Sequence, residues 1–217
     1  MKILILGTPR SGSTSLVKFI DSLISLPNYK MIIEPFNKFS PIHIKDNDNI
    51  SYLTKFDNVL VKSLFLIGVD EYPTKSFNNI FEYFEWCCRY FDKIIILDRK
   101  DKLAQSESFV INETISRKKN ISWHSPKLYD LDKIEKSYLN HMIDRYMESS
   151  KILKKISISN NFPIFYYEDI FLDHNMDIIN NLLKYLEIES NTENYNEFIL
   201  STSRRIRIEK PLHKKLL

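Results

Sequence analysis

The sequence predicts a single α/β domain over residues 1–217, with a mostly parallel central sheet of four or five strands flanked by helices. Three features lead there. Apolar runs at 3–6, 59–66 and 94–97 are short and continuous, the pattern of strands buried on both faces. Between them apolar side chains recur at helical spacing, as in helices that cover a sheet. The first run breaks at Gly7 into a polar loop that opens such a helical pattern, a strand–loop–helix unit. At 217 residues and 43% hydrophobic the chain can bury one full core, and no repeat or low-complexity linker divides it.

Leu16, Val17, Phe19, Ile20, Leu23 and Ile24 form the stripe of a first helix. It must stop before Leu26-Pro27, because the residue preceding a proline is pushed out of helical conformation. Met31-Ile-Ile-Glu34-Pro35-Phe36-Asn37 is a brief strand finishing in a carboxylate and a turn. The run at 59–66 is a further buried strand with one cation, Lys62, which either reaches a ligand or snorkels to solvent. Phe77, Ile80, Phe81, Phe84, Cys87, Cys88 and Phe91 predict a core-facing helix between Ser76 and Phe91, with both cysteines as small core residues. Ile94–Leu97 is the clearest strand, and Asp101 stands where it can cap the helix that follows. The periodicity breaks from Ser116 to Pro126 and resumes as a long amphipathic helix from Asp130 to about Lys155. Phe162–Tyr167 gives a further strand, ended by Glu168-Asp169, two acids expected to fix the sheet edge, the lesser alternative being a mimic of a Walker-B metal carboxylate, and Met176–Leu186 is the next helix.

Adjacent cysteines are poor geometry for a structural disulfide, which points to a reducing compartment and a cytoplasmic protein. No apolar stretch reaches the length of a membrane span, and the opening apolar run is too short for a signal peptide. The net charge is +3, yet residues 204–217 hold six Arg and Lys against Glu209 alone. That basic end is either a solvated terminus or a cover for a polyanionic nucleotide; a nucleic-acid partner is not expected.

The loop Gly7-Thr-Pro9-Arg10-Ser11-Gly12-Ser13-Thr14 carries two of the chain's three glycines. Its hydroxyls and amides fall at the start of a helix, where unpaired N–H groups and the positive end of the dipole attract an anion. The spacing Gly7-x-x-x-x-Gly12 is that of a nucleotide P-loop, but Ser13 stands where a nucleoside triphosphatase needs lysine for the β- and γ-phosphates. Arg10 supplies instead a planar, permanent positive charge suited to one phosphate or sulfate group.

Residues 7–16, GTPRSGSTSL, resemble the 5′-phosphosulfate loop of sulfotransferases that use 3′-phosphoadenosine 5′-phosphosulfate (PAPS) as donor. Residues 99–108 resemble the form of the trehalose and carbohydrate group, Arg-x-Asp-Lys-Leu-x-Gln-x-x-Ser. The resemblance implies a P-loop kinase-like arrangement in which Pro9, Arg10, Ser11, Gly12, Ser13 and Thr14 hold the 5′-phosphosulfate. It implies that Arg99 and Ser108 hold the 3′-phosphate, with Lys100–Ser108 and Arg99–Ser106 as the other open registers. Glu34-Pro35-Phe36-Asn37 resembles the segment that supplies the base in that group, so Glu34 would take the acceptor's proton; the competing reading is a turn carboxylate in a cap or ion pair. His43 and His124 are the substitutes. Trp123-His124 resembles a recurrent pair that shapes the acceptor pocket, although a Trp that only pins its loop reads alike. Tyr167-Glu168-Asp169-Ile170 resembles the family's Tyr-Glu-Asp-Leu, and Arg204 and Arg205 fall where a basic loop covers the donor, without the usual Arg-Lys-Gly.

The reaction so implied is sulfuryl transfer from PAPS to a hydroxyl of a small-molecule or saccharide acceptor, with no metal; oligomeric state is not legible. The competing classes are a small-molecule or nucleotide kinase with a degenerate P-loop, which would require magnesium and ATP, and a non-catalytic module that binds a nucleotide or polyanion.

Overall fold

The computed structural model describes residues 1–35, 52–67, 77–119, 135–189, 196 and 198. Its centre is a five-stranded, all-parallel sheet formed by β1 (Lys2–Gly7), β2 (Tyr29–Ile33), β3 (Asn58–Leu64), β4 (Lys93–Asp98) and β5 (Ile164–Tyr166), in the order β2-β3-β1-β4-β5. Around it lie α1 (Ser13–Leu23), α2 (Ile80–Tyr90), α3 (Lys102–Lys119), α4 (Lys136–Asn160) and α5 (Met176–Leu186), with a π-helical turn at Glu168–Leu172.

The continuous apolar runs are explained by burial from both sides. Ile3 and Ile5 join Leu60, Ile95, Leu97 and the apolar stripes of α1 and α5 on one face. Their neighbours Leu4 and Leu6 join Val59, Val61, Ile94 and Ile96 under α2 and α4 on the other. β1 is the middle strand, and the chain leaves it first toward β2 and later toward β4 and β5. That reversal makes the carboxyl ends of β1, β3 and β4 the topological switch point, the place where ligands of open α/β sheets bind. Register aligns the ends: Gly7 faces Leu64 on one side and Leu97 on the other.

Three expectations are corrected, and the alternative left open at Lys62 is decided by its burial. α2 starts at Ile80, because Asn79 accepts from the amides of Phe81 and Glu82 and caps the helix there. Its buried face runs through Tyr83, Phe84 and Cys87; Phe81 and Cys88 are exposed, so Cys88 is no core residue. α4 continues five residues past Lys155 and closes with Asn161 in left-handed conformation (φ 55°). Lys62 does not snorkel: its position, two residues from Leu60 on the face that α1 covers, leaves it 3% exposed.

Among the described residues no helix is long and apolar enough to cross a membrane, and no group of three His, Cys, Asp or Glu could hold a metal ion.

Candidate anion-binding site at the carboxyl edge of the sheet

β1 delivers the loop to the carboxyl edge of the sheet and α1 carries the chain away. Two residues take left-handed backbone, Arg10 (φ 65°) and Gly12 (φ 81°). Gly12 is required twice over. A Cβ there would stand 2.6 Å from Phe171 Cε2 and 2.9 Å from Tyr167 Cδ2, so only glycine lets the loop lie against these rings. Gly12 is also the N-cap of α1 and offers no side chain to its first amides, whereas α2, α3 and α5 are capped by Asn79, Asp101 and Asn175. The loop's first turn is closed by Ser11 N–H on the Thr8 carbonyl (3.2 Å). Ser11 and Ser13 are buried, and Ser11 Oγ has no hydrogen-bond partner among the described residues.

Three cations converge on this edge. Arg10 Nε donates to Ser108 Oγ at 2.9 Å, joining the loop to α3. From β3, Lys62 Nζ donates to Thr14 Oγ1 at 2.9 Å and pairs closely with Glu34. Glu34 follows β2 directly. Its N–H donates to the Lys62 carbonyl at 2.7 Å, and its left-handed φ of 50° turns the carboxylate back toward β3. Arg99 follows β4, stacks on the Tyr167 ring at 4.5 Å and forms an ion pair with Glu168 at 3.7 Å, too long for a hydrogen bond. Its Nε is buried without a hydrogen-bond partner among the described residues. A buried, unsatisfied guanidinium donor and an orphaned hydroxyl on one edge fit an anionic ligand, since each would otherwise cost its desolvation.

Behind the loop lies a second polar layer. Asp98 accepts from Thr8 Oγ1 (3.1 Å), Lys102 Nζ (2.6 Å) and Ser150 Oγ (2.7 Å). Gln105 Nε2 donates to Thr8 Oγ1 (2.7 Å) and to the Pro9 carbonyl (2.8 Å). Burial pulls the Lys102 ammonium below the ordinary lysine range, opposed by Asp98. The acids after β5 do fix the edge: Glu168 accepts from the amides of Lys100 (2.9 Å) and Asp101 (3.1 Å), and Asp169 pairs with Lys100.

Of the residues singled out in the sequence, Pro9 through Thr14, Glu34, Arg99 and Ser108 thus meet at one sheet edge. Ser108 sits on Arg10, while Arg99 sits on Tyr167. Trp123, His124, His43, Phe36, Asn37, Arg204 and Arg205 lie outside the described residues. Sequence reasoning left Lys62 undecided and missed Asp98, Gln105 and the Tyr167 platform. The available signal was Asp98 at a strand end, followed by Lys102 and Gln105, which lie three residues apart on one side of a helix start.

An all-parallel sheet of order 2-3-1-4-5, with a glycine loop between its middle strand and first helix, defines a P-loop-type α/β fold. Among solved structures, mouse sulfotransferase SULT7A1 complexed with PAP has this fold, at TM-score 0.59 and 15% sequence identity over 93% of this chain. The chain spans 63% of that protein's length. No protein-family model matches the sequence, and no curated protein matches it.

Proposed function

We propose that the protein is a sulfotransferase that moves a sulfuryl group from PAPS to a hydroxyl acceptor of the carbohydrate class. The observation that carries this reading is a pair of anion positions on adjacent strand ends. One is the loop with Arg10 after β1, and the other is Arg99 after β4, whose buried Nε lacks a hydrogen-bond partner among the described residues. A nucleotide phosphorylated at both its 3′ and 5′ ends presents two such anions. The fold shared with a PAP-bound sulfotransferase supports the same donor.

In this reading the loop from Pro9 to Thr14 and the amino end of α1 hold the 5′ end, and Arg99 with Ser108 hold the 3′-phosphate. When bound, PAPS supplies an activated sulfuryl group on a phosphate leaving group. Glu34 takes the proton of the attacking hydroxyl. Lys62 holds Glu34 and Thr14 in fixed relation, so the base is registered against the loop. Arg10 offers positive charge where negative charge builds on the leaving oxygen. Catalysis then rests on positioning and electrostatics, and no metal takes part. Trp123 and His124 would line the acceptor and Arg204 and Arg205 would cover the donor, in a cytoplasmic setting.

The test is transfer of sulfur label from PAPS to a panel of saccharides. Labelled product that vanishes in Glu34→Gln supports the assignment; no product and no PAP release with any acceptor contradicts it.

A further inference from the structure

We propose that Gln105 is a positioning residue that sets the shape of the anion loop before any ligand arrives. The inference rests on reading this loop as the donor's anion cradle. The loop makes its left-handed turn at Arg10, a non-glycine residue with φ 65°. Such a conformation costs roughly 1–2 kcal/mol and persists only where the surroundings over-determine it.

Gln105 supplies that constraint. Its amide nitrogen has two hydrogens, and both are spent on the two residues before Arg10: one on Thr8 Oγ1 at 2.7 Å, one on the Pro9 carbonyl at 2.8 Å. The orientation of the amide is fixed in turn. Thr8 Oγ1 gives its own hydrogen to Asp98 at 3.1 Å, so it can only accept from Gln105. Lys102 Nζ stands 3.4 Å from Gln105 Oε1, which places the oxygen on the cation's side and the nitrogen on the loop's side. Proline adds a fixed φ of its own at Pro9. Gln105, Thr8 and Asp98 are at most 2% exposed, so water does not compete for these bonds. Three residues further along α3, Ser108 takes the Arg10 guanidinium at 2.9 Å. One helix face therefore holds both the backbone before Arg10 and the side chain of Arg10. Gln105 touches no anion itself; it acts through Arg10.

The test uses the full chain and the variants Gln105→Leu and Gln105→Met, the second keeping the length of the side chain while removing the donor. In the free protein, amides of Thr8 and residues 10–14 should exchange with deuterium about tenfold faster in both variants, while β4 amides stay within about twofold of wild type. Titration with PAP should show about tenfold weaker binding, the loss expected from two neutral hydrogen bonds. In an Arg10→Ala background, Gln105→Leu should change PAP affinity by less than twofold, because the two act as a unit. Thr8→Val, an isosteric change, carries the same measurements if Gln105→Leu does not fold. Unchanged exchange in the loop, or equal acceleration throughout the sheet, would overturn the proposal, as would an undiminished effect in the Arg10→Ala background. If wild type does not bind PAP, the proposed donor fails, and the exchange measurement alone decides the role of Gln105.

Discussion

Replacing Gly12 by alanine probes the joint between the loop and the rings behind it. The backbone at φ 81° disfavours any L side chain by about 1–2 kcal/mol. The new Cβ would meet Phe171 Cε2 at 2.6 Å and Tyr167 Cδ2 at 2.9 Å, both below contact distance. Moving two rings packed at 5.1 Å from one another, in a core that also holds Phe198, adds an overpacking cost of about 1–3 kcal/mol. The sum, about 2–5 kcal/mol, corresponds to a fall in melting temperature of roughly 4–20 °C for a chain of this size. Tyr167 also carries the Arg99 guanidinium, so its displacement should weaken PAP binding at the far anion position as well. Gly7→Ala is the control. Its Cβ would meet Ser11 Oγ at 2.9 Å, an atom that can rotate away, and Ser13 Cβ at 3.1 Å, which cannot but needs to give only slightly; with no left-handed backbone to strain, the cost should be smaller, about 1–2 kcal/mol. Thermal unfolding of the two variants side by side reads the difference. Equal melting temperatures, or a Gly12→Ala loss below about 1 kcal/mol, would refute the packing argument.

Glu34→Gln keeps an acceptor for Lys62 but not its counter-charge, so the chain should fold with a smaller stability loss than the alanine variant, and PAP affinity should stay within a few-fold while sulfuryl transfer is lost; retained activity would remove Glu34 from the mechanism. Glu34→Ala instead strips the carboxylate from an ammonium that is 3% exposed, and urea unfolding should register a loss of about 3–5 kcal/mol. Arg99→Ala should weaken PAP far more than adenosine 5′-phosphate in calorimetric titration; equal effects on both would displace the 3′-phosphate from Arg99. Burial pushes the Cys87 thiol well above the usual range, whereas Cys88 is exposed at the surface of α2. Labelling of the folded protein with a maleimide should therefore modify one thiol, at Cys88, and a second should appear only on denaturation.

The strands were legible because parallel sheets are buried on both faces, and Ile3–Leu6, Val59–Val61 and Ile94–Leu97 show that as unbroken apolar runs. The loop was legible because two of the chain's three glycines fall in it, beside hydroxyls at the start of a helical pattern. The face of α2 was not, because aromatics line it nearly all round: Phe81 and Trp86 fit a stripe as well as Tyr83 and Phe84, and only the sheet selects among them. Lys62 was ambiguous for a different reason. A lysine in an apolar strand is legible, but its partners Thr14 and Glu34 lie 48 and 28 residues away. Gln105 and Asp98 were hidden in a charged helix start, where Asp101 alone accounts for the local pattern as the cap it proves to be. Functional roles that depend on contacts across the sheet edge need the topology before they can be assigned.

The most direct measurement of the central claim is thermal unfolding of the wild-type protein with PAP, with ADP, and with ATP plus magnesium. A ligand at about a hundred times its dissociation constant adds roughly 2.7 kcal/mol of stability, worth several degrees here. PAP alone should give that shift, because of the three only PAP carries an anion for Arg99 as well as for the Arg10 loop. Stabilisation by ATP with magnesium in preference to PAP would contradict it.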